Sequence, residues 1–185
     1  MNLILPLCVR GAQEALFLMV FLAMGLGAAF GEEPWMVYQP PGPESFSVST
    51  PVKLQKREGQ DEWRATDGAG RLYSVGLGYY TLPARITNSR AFMNMMINRL
   101  AADMKSRVAY SFFFKYQYAP ACEFKLVDLQ GHQVAAGRYF LVHQWFYFLD
   151  YTTSDKAFDV KAMKKFFESF RMVNPGLKDL QPLTD

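Results

Sequence analysis

The sequence predicts an α+β domain in which an antiparallel β-sheet packs against two main helices, preceded by a signal peptide. Three observations predict it. Between Cys122 and Tyr151, apolar residues recur at every second position in consecutive runs separated by turns, the signature of strands with a buried face. From Val160 to Phe170 the spacing changes to threes and fours: Val160, Met163, Phe166, Phe167 and Phe170 form a stripe, while Lys161, Lys164, Lys165 and Glu168 take the opposite side of a helix. An uninterrupted apolar run from Ala15 to Phe30 stands ahead of all this.

That leading run follows Arg10 and ends in Ala29-Phe30-Gly31, a small-x-small cleavage pattern, with Glu32-Glu33 immediately after it. It is shorter than the roughly twenty residues that span a bilayer comfortably. Residues 1–31 are therefore expected to be a cleaved signal peptide, the rival being an uncleaved anchor that would give the chain its membrane contact. Export implies a periplasmic or extracellular location. Cleavage would leave Cys122 as the sole cysteine, without an intramolecular disulfide, and its place in a strand makes it a small buried apolar residue.

Residues 32–44 hold Pro34, Pro40, Pro41, Gly42 and Pro43 and read as a connector without regular structure, with Trp35 and Tyr38 packed onto the body. A single domain spans 45–174. It begins with a short strand at Phe46-Ser47-Val48-Ser49, which Val52–Arg57 extends at the edge, and a second strand opens at Glu62. Asp67-Gly68-Ala69-Gly70 is a hairpin signal, and Arg71–Leu82 reads as a long strand closed by Pro83. Gly76 and Gly78 leave one face of it without side chains, where something can approach closely.

Asn88 or Ser89 caps the first helix, whose stripe runs through Phe92, Met96, Leu100 and Asp103-Met104 and is broadened by Met93, Met95 and Ile97. The methionines are read as core rather than as an adaptable groove. The next strand covers Val108–Tyr118, with Tyr110, Phe112, Phe114, Tyr116 and Tyr118 on one face, read as core or sheet-to-sheet packing. The three strands from Ala121 turn at Leu129-Gln130-Gly131-His132 and at His143-Gln144. Trp145–Leu149 is apolar on both faces, so that strand is covered on both sides or lies at an interface; Asp150 breaks the run. Ser154, Asp155 or Asp159 caps the second helix, Asn174-Pro175-Gly176 stops it, and 175–185 is a tail.

No catalytic constellation emerges. The two histidines, His132 and His143, lie in turns, outside any metal-binding spacing, so no metal and no cofactor is expected. Gly68-Ala69-Gly70 lacks the third glycine and following helix of a dinucleotide loop. Asp128 and His132 flank one hairpin and are read as a surface hydrogen bond rather than an acid-base dyad. Arg138, inside an apolar strand, either holds a ligand anion or pairs with Glu123 or Asp128 across the sheet. With Arg138, His143 and Trp145 are the candidate binding residues. A net charge of +3 spread along the chain, with no run of five basic residues, argues against nucleic acid.

Phe46-Ser47-Val48, Tyr73-Ser74-Val75, Gly137-Arg138-Tyr139 and Phe166-Phe167-Glu168-Ser169-Phe170, in that order, resemble the PsbP-like superfamily, which includes Mog-type Ran-binding proteins and exported bacterial domains. The resemblance covers roughly Trp35 to Val173. It implies an antiparallel sheet sandwiched by helices and an accessory or interaction role rather than an enzymatic one; no individual residue role carries over. The expectation is an exported, non-catalytic binding or assembly module of the cell envelope with a protein partner. The alternative is a small-ligand carrier or enzyme using a pocket between sheet and helix.

Overall fold

The computed structural model describes residues 34–41, 46–79, 88–142, 144–153 and 158–173. The expected signal peptide and tail, the turn residue His143, the capping candidates Ser154 and Asp155, and the last residues of the strand expected to reach Leu82 lie outside them.

Among the described residues, twelve elements follow in order. They are β1 (Met36–Tyr38), β2 (Phe46–Thr50), β3 (Gln55–Lys56), β4 (Glu62–Thr66), β5 (Arg71–Tyr79), α1 (Ser89–Asp103), β6 (Arg107–Tyr116), β7 (Ala119–Val127), β8 (Gln133–Val142), β9 (Trp145–Thr153), α2 (Val160–Ser169) and β10 (Arg171–Met172). Seven strands form one antiparallel sheet in the order β3-β4-β5-β9-β8-β7-β6. A second sheet has β2 between β1 and β10, also antiparallel. The α+β expectation thus holds, with a small sheet added.

Two short strands depart from the sequence reading. Met36–Tyr38 is paired with β2, although prolines flank it. Proline is compatible with the ends of an edge strand because the missing N–H falls outside the ladder. Trp35 and Tyr38 pack as expected, Trp35 edge-on to Tyr73 and Tyr38 against Trp63, with centroids 6.0 Å apart in both pairs. Residues 55–56 do not prolong β2 but join the edge of the larger sheet beside β4.

Both faces of the large sheet are covered at β9, which explains its two-sided apolar run. On one face α2 and β2 pack over Tyr73, Phe140, Tyr147, Leu149 and Tyr151. Phe170 stacks on Phe140 at 5.0 Å, and Phe166 meets Tyr73 edge-on at 5.3 Å. On the other face α1 sets Phe92, Met93, Ile97 and Ala101 onto Phe124, Leu126, Tyr139 and Phe146. Cys122 is buried here as a free thiol, and burial pushes its pKa up to about 11. The α1 stripe is rotated from its expected position, since Met93 and Ile97 are fully buried while Met95 is exposed.

Local chemistry sets the helix starts. The Asn88 side chain accepts from Ala91 N at 2.8 Å, and Asp159 accepts from Ala162 N at 2.9 Å. Asp159 has a second task. The Arg71 guanidinium bonds both Asp159 and, at 2.6 Å, Asp67 of the β4–β5 turn, tying that turn to the N-cap of α2. Asp159→Ala is expected to cost about 1–2 kcal/mol, the upper range for a lost cap, because Arg71 also loses a partner. Urea denaturation measures this directly; a loss indistinguishable from zero would exclude the cap as a determinant of α2.

Candidate functional site

The large sheet exposes its chemistry at two places, the β6 edge and a nook around Asp150 at mid-sheet. Strand β6 is paired with β7 on one side and, among the described residues, with nothing on the other. A register shift between Val108 and Tyr110 places Ala109 in a bulge, so that Tyr110, Phe112, Phe114 and Tyr116 face the same side, opposite Lys125, Glu123, Ala121 and Ala119.

The sequence reads this aromatic row, with Tyr118, as core or sheet-to-sheet packing. The structure corrects that: Tyr110 is 45% exposed, Phe112 55% and Tyr118 69%. Only the half nearer the helix is covered. Tyr116 packs on Phe140 at 5.0 Å and donates its hydroxyl to the Phe170 carbonyl at 3.0 Å. Phe114 is half-buried and stacks on Phe112 at 6.0 Å. Phe166 of α2 reaches Tyr73 of β5 and its C-cap Phe170 reaches Phe140 of β8, while the rings of Tyr110 and Phe112 remain exposed.

Arg138 sits just behind this row. Its guanidinium donates to Glu123 at 2.5 and 3.1 Å and to the Phe167 carbonyl at 3.3 Å, and lies 5.9 Å from the Phe114 ring. Of the two readings, the pair with Glu123 is the one present, so the charge is already matched and its plane braces the aromatic row. Asp128 is engaged elsewhere: it accepts from the Gln130 and His132 amides and lies 3.2 Å from His132 Nδ1.

Trp145 is half-buried and packs on Tyr79 at 4.7 Å, while the Tyr79 hydroxyl donates to Gln144 at 2.7 Å. It faces Val142 across the ladder, whereas Arg138 faces Leu149. Four residues of strand, about 13 Å, separate the two, so Arg138 and Trp145 do not share one site.

The second feature lies on the α1 face of the sheet, at Asp150. Its register neighbours are Ser74 on one side and Gly137 on the other. Oδ1 is enclosed, has no hydrogen-bond partner, and lies over Gly137 beside the Phe124 ring. Burial pushes the carboxyl up to about 7; a hydrogen bond from Tyr139 opposes the shift, the nearby Glu62 carboxylate adds to it and Arg64 offsets it. Asp150 therefore holds or releases a proton near neutrality. The sequence marked this residue only as an interruption, because Glu62, Ser74, Gly137 and Tyr139 reach it from three other strands.

A basic cleft of about 800 Å³ opens near the β3–β4 edge between Lys53, Lys56, Arg57 and Arg64. Most of its charge is matched internally. Lys56 pairs with Asp61 at 3.0 Å, and Arg57 and Arg64 both bond Glu62, at 3.5 and 2.5 Å. No group of three His, Cys, Asp or Glu side chains is placed to hold a metal ion among the described residues. No protein-family model matches this chain, and no curated protein matches it significantly.

Proposed function

We propose that the domain is a non-catalytic binding or assembly module that engages a protein partner through the β6 edge, and that it works in the cell envelope after export. The observation that carries this reading is an aromatic row left half exposed on a strand whose outer edge is unpaired among the described residues. An edge strand with free N–H and C=O groups adds a strand from a partner, and aromatic side chains alternating along it supply pockets and contact area. Natural edges are commonly blunted by charge or proline, yet Tyr110–Tyr116 carries one lysine, no acid and no proline. The envelope assignment rests on the apolar leader and its cleavage pattern, and the interaction role accords with the PsbP-like resemblance.

The test is capture from an envelope fraction by the Pro34–Asp185 domain, with Phe112→Lys as the matched control. Phe112 is exposed, so the substitution is expected to leave the melting temperature within about 1–2 °C while abolishing recovery of a stoichiometric partner. Equal recovery by both proteins would exclude the β6 edge as the binding surface. A second reading, a small-ligand carrier or enzyme, draws on the unpartnered Oδ1 of Asp150; it requires a ligand whose binding changes when Asp150→Asn is introduced.

A further inference from the structure

We infer that the partner at the β6 edge is a second copy of this chain, joined to the first by antiparallel β6–β6 pairing about a two-fold axis at Phe113. The inference rests on the binding reading above and names its occupant. It follows from the limits of the strand, the hydrogen-bonding rule for antiparallel edges, and the order of the side chains.

The regular part of β6 is bounded at both ends. The bulge at Ala109 ends it on one side, and Gln117, in a left-handed conformation at φ 55°, turns the chain away on the other. What remains is Tyr110–Tyr116, whose midpoint is Phe113. Along an antiparallel strand, alternate residues send both N–H and C=O to the same side. Two copies can therefore pair only if outward-directed residues face outward-directed residues, all of one parity, so the numbers of facing residues add to an even total. Full overlap of the regular stretch satisfies this, with Phe113 facing itself.

In that register the aromatic row is a palindrome. Tyr110, Phe112, Phe114 and Tyr116 read the same in reverse, so each tyrosine faces a tyrosine and each phenylalanine a phenylalanine of the second copy. All four share one face within a chain, so the pairing makes a continuous aromatic ribbon across the joined sheets. Charge is also compatible. Lys115, the only charge in the stretch, meets the exposed Ser111 of the second copy rather than another lysine. A strand from an unrelated partner has no need of a palindromic row; an isologous two-fold contact does. Edge pairing alone buries less surface than a permanent dimer, which places the association in the weak, concentration-dependent class.

Sedimentation equilibrium of Pro34–Asp185 tests this, since both apolar cores lie wholly within that segment. The expected result is a monomer–dimer equilibrium in the micromolar to submillimolar range. Phe112→Lys is expected to weaken it about tenfold or more, because two aromatic pairs are lost per dimer. Ser111→Glu is expected to strengthen it a few-fold, because each new carboxylate faces Lys115 of the second copy in this register alone. Both positions are exposed, and circular dichroism checks that both variants fold. A chain that stays monomeric, a dimer indifferent to Phe112→Lys, or a dimer that Ser111→Glu fails to strengthen overturns the pairing. A monomeric chain whose Phe112→Lys form still loses an envelope partner overturns the pairing and leaves the binding reading standing. A dimer and a capture both indifferent to Phe112→Lys overturn the two together.

Discussion

Asp150→Asn is expected to raise the stability of the domain at pH 8 by up to about 4 kcal/mol and to leave it nearly unchanged at pH 4. In the fold, burial pushes this carboxyl to about 7, while in the unfolded chain it titrates at the ordinary value near 3.9. A raised value means that the folded state binds the proton more tightly than the unfolded one. Between about pH 4 and 7 the native protein keeps a proton that the unfolded chain has released, so stability falls as pH rises through that window and levels off above it. Asparagine has the same shape and no ionisation, so it removes the fall. The enclosed, unpartnered Oδ1 is the structural origin of the cost, and the asparagine amide can still accept from Tyr139. Urea titrations of both proteins at pH 4, 6 and 8 measure the difference. A gap that does not widen with pH would show that Asp150 is ionised and solvated in the fold.

Gly137→Val is expected to be the most damaging single substitution in the sheet, costing about 3 kcal/mol or more and abolishing the folded state if the domain is of ordinary stability. A Cβ at this position would lie 2.2 Å from Cζ of Phe124 and 2.7 Å from Oδ1 of Asp150. Phe124 is fully buried beneath α1 and meets Tyr139 at 4.7 Å, so its ring has nowhere to go. Gly137→Ala keeps the clash at Cβ and is expected to cost somewhat less. Thermal melts of the two variants rank them; wild-type stability in Gly137→Val would mean that Phe124 has an alternative rotamer open to it.

These two residues mark how far a sequence reading reaches. Strand and helix positions follow from local period and capping, so the Asp67–Gly70 turn was legible, Asn88 and Asp159 stood among the candidate caps, and cover on both faces of Trp145–Leu149 was one of two readings. Strand order was not. Period two places Phe112 and Phe140 alike on one face, but only the order β9-β8-β7-β6 shows that one lies under α2 and the other on an open edge. For the same reason Gly137 carried no signal: its constraint comes from Phe124 and Asp150, thirteen residues away on either side along the chain and adjacent only across the ladders. Arg138 was recognisable as an odd charge, and its choice of Glu123 over Asp128 follows from the β7–β8 register, in which Glu123 and Arg138 face each other.

The three-stranded sheet has a mechanical consequence. Its central strand β2 is flanked by β1 near the start of the described chain and by β10 near its end, both antiparallel to it. Met36 lies beside Thr50 at one end of β2, and Met172 beside Phe46 at the other. Tension applied at Pro34 and Val173 would draw β1 and β10 along β2 in opposite directions. The bonds of each short ladder would then be sheared together instead of peeled one at a time, so this sheet closes the domain against a pull on its ends while the β6 edge is left out of the path of force.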